Sequence, residues 1–153
     1  MTGTSIAEQN RDVIRRLYAA SNAGDNDTID SLITDDVVLV QSGGHAVPGT
    51  WNGKPAMMQA MAEVFAALHN TGVDVHEIVA DGPTRVIGLV DALGTDTDGN
   101  PYAMPIAETF KVRDGKVVEI RPFYWDQIEL RRIAGVPAAE GPRDQATARA
   151  PLG

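Results

Sequence analysis

The chain has 153 residues, no cysteine and a formal net charge of -8 at pH 7. This length suits one domain that buries a core without a disulfide or a structural metal. The lack of cysteine excludes disulfides, thiolate metal sites and thiol nucleophiles. The acidic residues are spread out and no Lys/Arg run occurs, so nucleic acid and anionic membranes are poor partners. We expect a cytoplasmic protein, because no basic leader or membrane-length apolar run is seen.

The first half of the chain carries the helical signals. Apolar residues at helical spacing predict a helix over 6–23, and Gly24 is a typical residue to end it. An aspartate cap before an apolar cluster predicts a short helix over 28–33. The β-branched run 37–41 predicts a strand. A second long helix is predicted over 54–69, with a proline in its first turn.

The segment 42–53 contains four glycines and a proline and is predicted to be a long loop. Its Trp51 could close a pocket as a lid or simply anchor the loop. His45 is expected to be mobile, and His76, further along, is expected on a strand surface. Neither histidine has a partner at metal-ligand spacing, so the sequence predicts no metal site.

From residue 73 the pattern changes to that of strands. The Asp114-Gly115 pair between the last two strands is a strong hairpin signal, because both central residues of a type I′ turn adopt positive φ. Tight turns between consecutive strands imply an antiparallel meander. The predicted strands cover 73–80, 84–95, 102–113 and 116–126, and a short helix follows over 127–134.

Helices followed by a meander of long strands form an α+β order. A twisted, curved antiparallel sheet wrapped around the N-terminal helices would make a cone, with an apolar pocket between helix and sheet. The sequence therefore predicts one domain over 1–137. The remainder, 138–153, is rich in Ala, Pro and charged residues without periodicity, and is predicted to be a flexible tail.

Four segments carry a resemblance to a known family: LYAASNAGD at 17–25, LITDDV at 32–37, GTWNGK at 49–54, and FKVRDGKVV at 110–118 with YWD at 124–126. In this order they resemble the nuclear transport factor 2-like superfamily, in particular its SnoaL-like members. The resemblance implies a cystatin-like α+β barrel, and it covers roughly residues 6 to 135. The fold hosts isomerases, aldol cyclases, dehydratases, epoxide hydrolases and binding modules, so function has to be argued from the site.

Three acids on the predicted strands are candidate catalytic groups. Strand alternation places Asp126 on the face of Tyr124, and Glu108 on the apolar face of Met104. Both faces of the strand that carries Asp91 are apolar, so alternation leaves its direction open. We expect the three acids to approach one cavity. A carboxyl group among apolar side chains has a raised pKa and can act as a general acid or base near neutrality.

The resemblance assigns some of these positions a role. Glu108 matches the protonated acid of the ketosteroid isomerase oxyanion hole. The tyrosine of that hole falls on Leu17, with Tyr18 one step away, and the isomerase base falls on Gln41. The chain therefore departs from a working ketosteroid isomerase at two positions, and Tyr18 remains a candidate hydroxyl donor.

Asp126 is the counterpart of the acid/base aspartate of SnoaL-like cyclases. Asp126 and Asp91 also match the two aspartates of limonene-type epoxide hydrolases, although the arginine of those enzymes is Leu89 here. A structural alternative exists for Asp126, because it begins a capping-box pattern with Glu129 three residues later. Asp91 could equally be a charge on a sheet edge or a subunit face.

A pocket between helix and sheet would be lined by apolar and aromatic side chains. The methionines in this set would suit an adaptable ligand wall, although they could also be core filler. The candidate substrate-binding residues are Leu17, Gln41, Trp51, Met57, Met61, Phe65, Met104 and Tyr124.

The leading hypothesis is a cofactor-independent SnoaL-like enzyme that uses carboxylates in acid/base chemistry on a hydrophobic small molecule. The reaction would be a polyketide-type cyclisation, isomerisation or dehydration. Opening of an epoxide by an acid pair is the second hypothesis, and a non-catalytic small-molecule binding module is the third. No nucleophilic-serine motif occurs, so Ser-His-Asp catalysis has no support in the sequence. No phosphate-binding glycine loop occurs either, and no cofactor is predicted.

The resemblance also implies a homodimer formed through the outer face of the sheet. Four apolar residues of the sequence are expected to need cover by a partner. They are Val86, Val90, Phe123 and Trp125.

Overall fold

The computed structural model describes residues 3–137, and the predicted flexible tail over 138–153 lies outside them. Four helices are present in this range. Helix α1 begins after Ser5, whose side chain accepts a hydrogen bond from the Glu8 amide, and ends at Gly24 in the left-handed conformation. Among residues 3–137 no helix is both long and apolar enough to cross a bilayer. The helices are α1 (Ile6–Ala23), α2 (Asn26–Ser31), α3 (Lys54–Ala67) and α4 (Gln127–Ile133).

Within residues 3–137, six strands form one sheet in the order β2-β1-β6-β5-β4-β3. The last four in sequence make the predicted antiparallel meander, and β1 pairs with β6 in parallel. The predicted α+β class, with a curved sheet around the N-terminal helices, is confirmed. The strands are β1 (Ile33–Gln41), β2 (Gly49–Asn52), β3 (Asn70–Ala80), β4 (Arg85–Thr95), β5 (Pro101–Arg113) and β6 (Lys116–Tyr124).

The predicted hairpin turn is confirmed, with φ of 52° at Asp114 and 75° at Gly115. Several bounds in the first half differ from the predicted ones. The first strand begins at Ile33, where the sequence predicted the end of a helix. The predicted loop 42–53 contains β2, a four-residue strand whose Trp51 lies opposite Leu39.

The core lies between the inner face of the sheet and helices α1 and α3. Ile14 of α1, Met57 of α3 and Phe110 of β5 are all essentially inaccessible to solvent. Val86 and Val90 belong to this core, with 0% and 2% of their surface exposed. The expectation that these two valines need a partner subunit is therefore wrong, because β4 turns them inward.

The outer face of the sheet carries apolar side chains that nothing in residues 3–137 covers. Ile87 and Leu89 of β4 alternate with the buried valines and point outward. Phe123 and Trp125 are exposed to 49% and 81%. The two faces of β4 are thus both apolar, which explains why alternation alone could not orient this strand.

Candidate functional site

A cavity of about 220 Å³ lies between α1, α2 and α3 and the inner face of the sheet. Its wall is mostly apolar, and Glu108 is its single carboxylate among residues 3–137. Six of the side chains selected from the sequence line this cavity, and they come from α1, α3 and β5. They are Leu17, Tyr18, Met57, Met61, Phe65 and Glu108.

Glu108 lies on β5 and points to the interior, as strand alternation predicts. The hydroxyl of Tyr18 donates a hydrogen bond to Glu108 Oε2 at 3.3 Å. Burial raises the pKa of Glu108 to about 7, while the Tyr18 hydrogen bond opposes this by stabilising the carboxylate. Burial, and then the charge of Glu108, raises the pKa of Tyr18, so its hydroxyl stays protonated and remains a donor.

A glycine on the neighbouring strand makes the contact between Tyr18 and Glu108 possible. Gly88 of β4 lies directly opposite Glu108 in the β4–β5 register. A Cβ atom on Gly88 would lie 2.2 Å from the Tyr18 hydroxyl oxygen and 2.9 Å from two ring carbons. The Tyr18 ring therefore occupies the space that any other side chain at position 88 would fill.

A second polar group lies beside Glu108 in the core. The charge of Glu108 adds to burial in raising the pKa of Tyr124, and the Gln41 side chain forms a hydrogen bond with Tyr124. The His45 ring packs against Tyr124 with centroids 4.7 Å apart. Burial lowers the pKa of His45 to about 4, so the imidazole is neutral at pH 7.

The expectation that His45 is mobile is wrong, because its side chain is fully buried. Its amide donates to the carbonyl of Ser42 at 3.0 Å, which turns the chain inward. The apolar pair Ala46-Val47 directly after it is the signal that could have indicated a buried loop. Glycine content alone suggested exposure.

Asp126 lies outside the cavity, and the expectation of an inward carboxylate is wrong. Its Oδ1 accepts a hydrogen bond from the Glu129 amide at 2.9 Å, so Asp126 caps α4 and is exposed. Strand β6 ends at Tyr124, and strand alternation therefore does not extend to Asp126. The alternative role, a helix cap, is therefore the one that Asp126 has.

Asp91 lies on the outer face of the sheet, so the expectation of three acids in one cavity is wrong. Its Oδ2 is 2.9 Å from His76 Nε2, and this hydrogen bond raises the pKa of the exposed His76. Asp74 lies opposite Asp91 in the register. Asp74, His76 and Asp91 each offer one ligand atom within 4.8 Å of the others, so these three side chains could hold a metal ion.

Four of the predicted binding residues do not line the cavity: Gln41, Trp51, Met104 and Tyr124. Gln41 and Met104 are buried in the core beside it, with 1% and 3% of their surface exposed. The wall also contains residues of α2, β1, β3 and β6 that are not among the predicted binding residues. They include Asn26, Ile29, Ile33, Val73 and Ile120.

The model of the SnoaL-like domain family matches residues 14–120. Bal32a, from a soil-derived mobile gene cassette, has a TM-score of 0.73 at 22% identity, covering 80% of this chain and 94% of its own. Wild-type IdmH from Streptomyces antibioticus, a proposed polyketide cyclase, has a TM-score of 0.69 at 28% identity. The match covers 84% of this chain and 99% of IdmH.

A proposed SnoaL-like polyketide cyclase from Jannaschia sp. CCS1 has a TM-score of 0.71 at 20% identity. The match covers 90% of this chain and 99% of the Jannaschia protein. No curated protein matches the sequence. The family match spans more than half of the chain and agrees with the helix order, the curved sheet and the interior cavity. The chain therefore belongs to the SnoaL-like domain family.

Proposed function

We propose that this chain is an acid–base enzyme in which Glu108 carries a proton to or from a hydrophobic small molecule. The observation that supports this most directly is a single carboxyl group at an apolar cavity, with its pKa raised to about 7. A group with this pKa is present in both protonation states at neutral pH, which is the condition for efficient proton transfer.

The Tyr18 hydroxyl supports a role in stabilising negative charge. It donates to Glu108 in the free protein. Once Glu108 has accepted a proton from a carbon next to a carbonyl, the same hydroxyl can donate to the enolate oxygen that forms. Returning the proton to another carbon completes an isomerisation. In a cyclisation the enolate carbon attacks a second carbonyl, whose π bond opens, and Glu108 gives its proton to the alkoxide that forms.

The wall of the cavity supports an apolar substrate. Leu17, Met57, Met61 and Phe65 surround the carboxyl group, and the methionines can adapt to irregular shapes. The volume of about 220 Å³ suits a compact ring system. Membership of the SnoaL-like family and similarity to IdmH, a proposed polyketide cyclase, favour polyketide-type cyclisation, isomerisation or dehydration.

The positions of the acids favour this proposal over the epoxide hypothesis. Opening of an epoxide by an acid pair needs two carboxyl groups at one substrate, and among residues 3–137 only Glu108 lines this cavity. Asp91 bonds to His76 on the outer face, and Asp126 caps a helix. A purely passive binding module would not need to bury a carboxyl group, because burial without a strong partner is unfavourable.

The test is to screen the protein by thermal shift against polyketide-type ketones and diketones, and then to assay turnover of the compounds that stabilise it. Glu108→Gln keeps the shape of the side chain and is expected to lower kcat about 10²–10⁴-fold. Glu63→Gln, an exposed glutamate on α3, is the matched control and should keep full activity. Full activity in Glu108→Gln would refute the proposal.

A further inference from the structure

Three side chains of the kind that bind metal ions meet on the outer face of the sheet. Asp74 and His76 lie on β3, and Asp91 lies on the neighbouring strand β4. One oxygen of each carboxylate and one nitrogen of the imidazole lie within 4.8 Å of one another. None of the three residues lines the cavity at Glu108. The group is therefore separate from the site of the proposed reaction.

The sheet register places the two carboxylates of this group against each other. Asp74 lies directly opposite Asp91 in the β3–β4 pairing. Like charges at opposed positions of neighbouring strands destabilise a sheet. Within residues 3–137 no lysine or arginine forms an ion pair with either aspartate. The pair is thus a concentration of negative charge that a bound cation would neutralise.

A bulge in β3 brings the histidine to the two aspartates. The β3–β4 register shifts between Val75 and Glu77, so His76 is an extra residue without a cross-strand partner. A bulge redirects the side chains at its position. Here the imidazole Nε2 lies 2.9 Å from Oδ2 of Asp91. The bulge therefore adds a nitrogen ligand to the two oxygen ligands.

The distances within the group suit a zinc ion. Zinc binds imidazole nitrogen and carboxylate oxygen at about 2.0–2.2 Å, so two ligand atoms of a tetrahedral site are about 3.4 Å apart. The 2.9 Å between His76 and Asp91 is close to this spacing. Asp74 is exposed, and rotation of its side chain can bring its carboxylate to the same ion. A His–Asp ion pair by itself leaves the Asp74 carboxylate without a role.

The ligand atoms have open space beside them. The side chains of His76 and Asp91 are exposed to 53% and 23%. Both also line a groove of about 390 Å³ on the outer face of the sheet, together with Phe123 and Trp125. A hydrated ion can therefore reach the group from solvent.

We propose that Asp74, His76 and Asp91 bind Zn²⁺ through the imidazole nitrogen and one oxygen of each carboxylate. The nitrogen ligand favours zinc over Ca²⁺ and Mg²⁺, which take oxygen ligands. Three protein ligands leave the fourth position of a tetrahedral zinc ion to water. The bound ion joins β3, the edge strand of the sheet, to β4. Sequence spacing does not indicate this site, because Asp91 is 15 residues from His76 and only the register brings them together.

Isothermal titration of the full chain, free of any affinity tag, with ZnCl₂ at pH 7 tests the site. We expect about one Zn²⁺ per chain and no comparable binding of CaCl₂. His76→Ala and Asp91→Asn should each weaken zinc binding at least about tenfold, since even groups outside the ligand shell change metal affinity about 10–100-fold. Asparagine at 91 can still accept a hydrogen bond from His76, so its effect reports the lost carboxylate. His69→Ala is the matched control, because His69 is exposed outside the group, and it should bind zinc as wild type does.

Anomalous diffraction at the zinc absorption edge, from wild-type crystals soaked in ZnCl₂, gives a readout that does not depend on a variant folding. The zinc peak is expected about 2.0–2.2 Å from His76 Nε2 and from an oxygen of Asp74 and of Asp91. No zinc binding, a zinc peak only elsewhere, equal affinity for Ca²⁺, or wild-type affinity in His76→Ala would each overturn the site. None of these outcomes touches the role proposed for Glu108, which turnover tests.

Discussion

Replacing Glu108 by glutamine is expected to change how the stability of the protein depends on pH. Burial raises the pKa of Glu108 from 4.5 to about 7 in the folded chain, whereas the unfolded chain keeps the ordinary value. Between these two values the folded chain holds a proton that the unfolded chain has lost. The free energy of unfolding therefore falls as the pH rises through this window. The Glu108 contribution is most favourable below 4.5 and its penalty is complete above 7.

The magnitude follows from the width of the window. Each pH unit between 4.5 and 7 lowers the free energy of unfolding by about 1.36 kcal/mol, which gives about 3 kcal/mol in all. The glutamine of the variant is neutral at every pH and does not suffer this loss. The stability of Glu108→Gln relative to wild type should therefore rise by about 3 kcal/mol between pH 4.5 and pH 8.

Urea denaturation at a series of pH values measures this difference, with tryptophan fluorescence as the probe of unfolding. Glu63→Gln is the control, because Glu63 is exposed, and its stability relative to wild type should be nearly flat over the same range. A flat profile for Glu108→Gln would refute the reasoning, since it would mean that the carboxyl group is as well solvated in the folded chain as in the unfolded one.

Three other variants test the site, the helix cap and the outer face of the sheet. In Gly88→Ala the new methyl group displaces the Tyr18 hydroxyl, which is expected to lower the free energy of unfolding by about 1–3 kcal/mol. Loss of the Tyr18 hydrogen bond should also raise the pKa of Glu108 further. Urea denaturation at several pH values measures both effects. Asp126→Ala removes a helix cap and should lower the free energy of unfolding by about 1 kcal/mol without changing turnover. A large loss of activity would instead mean that Asp126 takes part in catalysis. We propose a homodimer through the outer face of the sheet, where Phe123 and Trp125 are exposed. Changing both residues to serine should halve the molecular mass measured by sedimentation. An unchanged mass would contradict the proposed dimer.

The sequence predicted the fold where local chemistry and global packing agree. The Asp114-Gly115 turn needs positive φ at both residues, and few alternatives satisfy it. Glu108 was oriented correctly because one face of its strand is clearly apolar. Asp91 could not be oriented, since Ile87 and Leu89 give the outer face of β4 the same apolar character as its inner face.

The candidate site was predicted only in part, for two physical reasons. Strand alternation does not hold at Asp126, because β6 ends at Tyr124 and the next residues turn into a helix. The polar group around His45 depends on a glycine-containing loop that folds into the core, and tertiary contacts decide that outcome. The Tyr18–Glu108 contact joins residues from a helix and a strand, and its requirement for Gly88 is visible only once the sheet register is known.

The parallel pairing of β1 with β6 has a consequence for how the nascent chain folds. Leu39 lies beside Ile120, a partner about eighty residues later in the sequence. Pairings of such high contact order are slow to form, because a long loop must close before any contact is gained. During synthesis β1 emerges well before its partner, and its edge stays unpaired until the final hairpin has left the ribosome. We therefore expect β1 to be the segment through which partly made chains aggregate or bind chaperones.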